Sequence, residues 1–148
     1  MEWLTKASNE RNAARATRDA IAQKAPALWE NICHAIEQAV KEYGQLEGDF
    51  LVESTGPANH TVCVWVFDQK SRREKGPERE RMTITFNREK LVIEVNSSAG
   101  SVKVFSIALN AAGNACLMDG NKEVSVEKFT ELALHDALFP QNTGEKRE

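Results

Sequence analysis

Few side chains in this chain can ligate a metal, carry a proton at neutral pH or attack an electrophile. There are three histidines and three cysteines among 148 residues. A metal site or a histidine catalyst needs a second ligand or an acid on the same face. His34 falls on the polar face of a helical segment, His60 in a turn, and His135 near the end of the last helical segment. His135 and its neighbour Asp136 diverge by about 100° on a helix. They read as surface histidines, and no metal or cofactor is expected. Cys33 sits inside an apolar helical arc, and Cys63 and Cys116 lie in strand-like runs. Buried thiols of this kind behave as small hydrophobes. A nucleophilic thiol would need a base or a helix N-terminus beside it, and His34 points away from Cys33. An odd cysteine count without a CxxC pair excludes a disulfide framework and a zinc knuckle, and suits a reducing compartment. The turn Ala111-Ala112-Gly113-Asn114 lacks the glycine spacing of a phosphate-binding loop. No catalytic residue emerges, and an enzyme is the least supported class.

The segment from Gln69 to Arg81 is the unusual one. Lys70, Arg72, Arg73, Lys75, Arg79 and Arg81 stand against Glu74, Glu78 and Glu80, and Gly76-Pro77 supplies a bend. Read functionally, this is an anion-binding loop for lipid headgroups or nucleic acid. Read plainly, it is a solvated hairpin tip whose charges prevent edge-to-edge pairing. Base stacking needs aromatics, which the segment lacks, and the chain as a whole carries a net charge of −3. Nucleic acid is therefore not an expected partner.

An apolar fraction of 41% with 28% charged residues excludes general disorder. The length suits one domain, expected over residues 1–140, with a disordered polar tail over 141–148. No run reaches the ~20 apolar residues of a membrane helix, and the N-terminus lacks a secretory pattern. A cytoplasmic location is the expectation.

Three helical segments should position these residues. Glu2 to Lys24 lacks Gly and Pro, and its stripe of Trp3, Ala7, Ala14, Ile21 and Ala25 is mostly alanine. Alanine favours helix but buries little, so this segment should be weakly anchored. Arg11, Arg15 and Arg18 run beside the stripe, as a solvated face or as a ridge for an acidic partner. Pro26 should end this helix and open a second, running to Tyr43 with Gly44 as its stop. Leu28, Trp29, Ile32, Cys33, Ala35, Ile36, Ala39, Val40 and Tyr43 share one arc of about 160°, the mark of a helix laid on a core. A third helix opens at Ser125, a good N-cap, and stops at Pro140. Val126, Phe129, Leu132, Ala133 and Ala137 form its expected buried side. Leu134 and Leu138 point off that side, as a candidate partner surface.

Between Gly48 and Asn121 the period becomes two. Strands are expected at Asp49 to Glu53, Thr61 to Asp68, Arg81 to Asn87, Lys90 to Asn96, Ser101 to Leu109 and Ala115 to Asp119. Short connections favour an antiparallel meander. The run Val62 to Phe67 is apolar on both faces, which demands either a curled sheet or cover from another chain.

The expected fold is α+β: two N-terminal helices, a curled antiparallel sheet of about five to seven strands, and a C-terminal helix packed on it. A small β-barrel capped by the C-terminal helix is the alternative. Apolar surface beyond what one chain covers points to a self-associating, dimeric interaction module without enzymatic activity. The rival is a carrier of a small apolar ligand, with Trp29, Trp65, Phe67 and Phe105 lining a cavity between sheet and helix.

Overall fold

The computed structural model describes residues 1–46, 50–55, 59–71 and 74–139. Helix α1 spans Glu2–Leu46. Strands β1 Phe50–Ser54, β2 Thr61–Ser71, β3 Glu74–Asn87, β4 Val92–Ser97, β5 Val102–Leu109, β6 Ala115–Asp119 and β7 Lys122–Val124 follow, and helix α2 Val126–Leu138 closes the order. The strands form one open antiparallel sheet in sequential order. This is the expected α+β meander, at seven strands. The pairing ladder runs from β1 to β7 without closing, so the sheet is not the barrel of the alternative reading.

Two N-terminal helices were expected, and one is present. Pro26 lies inside α1. An interior proline removes a backbone hydrogen bond and costs about 3 kcal/mol. Burial on both sides of it offsets that cost. Ala25 before it and Leu28, Trp29, Ile32 and Ile36 after it belong to one core, with Ile21 packed against it. Ala22 and Pro26 are exposed, so water can reach the carbonyl that proline leaves without a donor. The helix also runs past Gly44 to Leu46. The expected strand start at Asp49, the turn residues 56–58, the stop at Pro140 and the tail 141–148 lie outside the described residues.

Both helices cover the same face of the sheet. Strand register makes one face a series of apolar rows: Val64 opposite Met82, Val62 opposite Ile84 and Val95, Phe86 opposite Ile93 and Phe105, Ile107 opposite Leu117 and Val124. All of these are buried. Trp29 of α1 stacks on Phe86 at 5.9 Å, and Phe129 of α2 meets Phe105 edge-on at 4.9 Å. The α2 start is capped as expected: the Ser125 hydroxyl accepts the Lys128 backbone N–H at 3.0 Å.

The buried side of α2 differs from the expected one. Leu134 and Leu138 are 1% and 7% exposed, whereas Leu132 is exposed. The helix lies in the angle between the sheet and α1, and its end meets α1 through Phe139 and Tyr43, 5.6 Å apart. Phe129, Thr130, Ala133, Leu134, Ala137 and Leu138 therefore face inward over an arc of about 180°. The pair is core, not a partner surface.

The described part of the basic segment is strand, not loop. Strands β2 and β3 stay paired out to Ser71 and Glu74, with register shifts beyond Val66. β1 pairs no farther than Asp68 and β4 no farther than Met82, so the distal ribbon extends beyond both neighbours. A two-stranded ladder is held by backbone hydrogen bonds that any side chain permits, so a polar sequence that reads as a loop can still pair.

Candidate functional site

The outer face of the sheet has no covering layer of its own chain among the described residues. Its rows follow from the register: Glu53–Trp65–Arg81, Cys63–Thr83–Asn96–Val102, Thr61–Thr85–Glu94–Val104, and Asn87–Val92–Ser106–Met118–Glu123. Val102 and Val104 on β5 are 62% and 53% exposed. The doubly apolar strand β2 thus divides: Val62, Val64 and Val66 enter the core, and Cys63, Trp65 and Phe67 sit half-buried on the outer side.

That division separates the four aromatics expected to share a cavity. Trp29 and Phe105 are buried on the helix-covered face, each against another ring. Trp65 and Phe67 lie across the sheet from them. Period-two alternation, applied to 62–67, places Trp65 and Phe67 opposite the valines. Only the choice of covered face, a tertiary matter, puts them outside.

The second uncovered surface is the first part of α1. Residues 1–19 are all exposed, Trp3 at 65% and Leu4 at 50%. At about 1.5 Å per residue this arm is about 28 Å long. It continues a helix already nucleated by packing, so its alanines can sustain it without the usual initiation cost. Arg18 ties its base to the sheet by donating to the backbone carbonyl of Glu89, in the β3–β4 turn. Lys6, Arg11 and Arg15 make no ion pair among the described residues. Nothing on the described chain covers the arm's apolar end.

Of the six basic residues proposed for anions, Arg79 pairs with Asp68 at 3.6 Å and Arg81 with Glu78 at 3.3 Å. Lys70 and Lys75 belong to the paired ribbon, and Arg72 and Arg73 lie outside the described residues. The ribbon thus brings carboxylates to its own arginines and leaves less positive field for an external anion.

Two of the clefts hold Cys33 with His34, and His135 with Asp136. One, of about 340 Å³, lies between α1 and the β1–β2 end, with Glu30, Cys33, His34, Glu37, Ser54 and Thr55 on its walls. Burial first, then the negative charges of Glu30 and Glu37, pushes the Cys33 thiol up from its ordinary 9.0 to about 11. It is protonated at neutral pH and a poor nucleophile. Burial, with Glu123 nearby, raises Cys116 as well. The other cleft, of about 530 Å³, runs between α2 and β3–β5. There His135 Nδ1 lies 3.3 Å from Asp136 Oδ1, closer than their divergence on the helix suggests, because both exposed side chains bend together. His60 stands edge-on to Phe86 at 5.7 Å with a left-handed backbone, φ 58°. Among the described residues no three His, Cys, Asp or Glu side chains are placed to hold a metal ion. No helix among them is long and apolar enough to cross a membrane.

No protein-family model, curated protein or solved structure matches the chain.

Proposed function

We propose that this chain is a non-enzymatic, self-associating interaction module of the cytoplasm. The observation that carries the reading is the exposed arm of α1: residues 2–19 form regular helix with no packing layer among the described residues, and the arm presents Trp3 and Leu4 to water. A soluble chain rarely leaves large apolar side chains on a projecting element unless a second surface covers them. The bare outer sheet face adds to the same need. A second copy is the natural cover, because two-fold dimers are the commonest assemblies. The carrier reading draws no support from these four aromatics, which lie on opposite faces of the sheet.

Sedimentation at micromolar concentration tests the module directly. The expected result is a dimer mass that falls toward the monomer on dilution. A monomer mass unchanged up to about 100 μM, far above the Kd of an ordinary specific complex, overturns the reading.

A further inference from the structure

Resting on the self-association proposed above, we infer that the α1 arm of one copy docks on the outer sheet face of a second copy, and that the contact is reciprocal. Each chain carries one uncovered helix and one uncovered sheet face. Exchange of arms covers both at once and closes with two-fold symmetry.

Charge selects this pairing over arm against arm. The arm carries Lys6, Arg11, Arg15 and Arg18 against Glu2, Glu10 and Asp19. Two such arms side by side in parallel place Arg11 and Arg15 against their own copies. An antiparallel pair centred near Arg11 sets Leu4 opposite Arg18 and Arg11 opposite itself. The outer sheet face has the opposite sign. Among the described residues its rows hold Glu53, Glu94 and Glu123 against one arginine, Arg81. Apolar anchors exist on both sides: Trp3 and Leu4 at the arm's end, Val102 and Val104 on β5.

Dimensions agree. From Val102 and Val104 on β5 to β1 is four strand spacings, about 19 Å, which about 13 residues of helix span. A helix about 10 Å wide then shields roughly 190 Å² of projected area on each partner, and exchange doubles the contact. Counting both partners, the total is roughly 760 Å² before surface relief is counted, the size of a weak, reversible contact.

The test uses the full chain and sedimentation equilibrium, with circular dichroism as the check of folding. Val102→Lys with Val104→Lys alters two exposed side chains and should raise the dimer Kd on the order of ten-fold or more, with an unchanged spectrum. Arg11→Glu with Arg15→Glu should weaken the dimer comparably. Adding Glu94→Lys to that arginine variant should restore part of the affinity, because Glu94 stands beside Val104 and one charge pair is exchanged. A dimer broken by Leu4→Asp but indifferent to the two valine substitutions would leave the module standing and overturn arm-on-sheet docking. A dimer indifferent to the valine and the arginine variants alike would also overturn it. A wild-type monomer would remove both proposals.

Discussion

Ile36 and His34 sit two residues apart on α1 and meet opposite environments. Ile36 is fully buried in the shared core, and His34 is exposed. Ile36→Ala should cost about 2 to 5 kcal/mol by leaving a cavity. His34→Ala should cost less than about 0.5 kcal/mol, as surface changes do. A urea titration showing equal losses would contradict this placement. Cys33 supports a second prediction at the same scale. Its folded-state pKa is raised, so the unfolded chain gives up the proton first as pH climbs. The stability this thiol contributes is complete below pH 9.0 and is lost as pH rises toward about 11. Denaturation midpoints of the wild type should therefore fall more steeply across that window than those of Cys33→Ser. Iodoacetamide should label Cys33 in the native protein only slowly at neutral pH.

At the scale of elements, α2 depends on its cap. Ser125→Ala removes the acceptor for the Lys128 N–H and should cost about 0.5–2 kcal/mol, read from the denaturation midpoint. The distal β2–β3 ribbon contributes far less. Its described ion pairs are exposed, and such pairs contribute only about 0.2–1 kcal/mol each. Replacing residues 69–77 with an Asn-Gly turn should leave Tm within a few degrees. A fall of ten degrees or more would mean that the ribbon packs on the domain. The α1 arm differs from both. Its amides should exchange quickly in dilute protein and become protected as concentration rises, because the proposed docking covers the arm with a second copy.

For the whole molecule, the proposed self-association predicts a stability that depends on concentration. Tm should rise as the protein is concentrated, because the dimer binds the native state alone. Salt should weaken the association, since the proposed docking sets arm and sheet face together through exposed charges within a Debye length of about 8 Å. A Tm independent of concentration over two decades would indicate a monomer. Seven strands offer two faces, and both packed stretches of helix lie on one of them. The other face keeps Val102 and Val104 in water.

Periodicity in the sequence already determined much of this protein. The strands and their sequential antiparallel order follow from alternation and short turns, as do the core arc of α1 around Ile32 and Ile36 and the cap at Ser125. These are local properties, set by side-chain spacing of 2 or about 3.6 residues and by hydrogen bonds within a few positions. The missed strand β7 is three residues long, too short for alternation to register. Tertiary structure decided the rest. Pro26 stays inside one helix because burial of Ala25 and Leu28 outweighs a local preference to break. Leu134 and Leu138 are buried because α2 meets two surfaces, the sheet and α1, and a helical wheel drawn for one surface omits the second. Trp65 and Phe67 part from Trp29 and Phe105 because both helices chose the same face of the sheet. That choice is made by the packing of elements distant in sequence, and no local pattern encodes it.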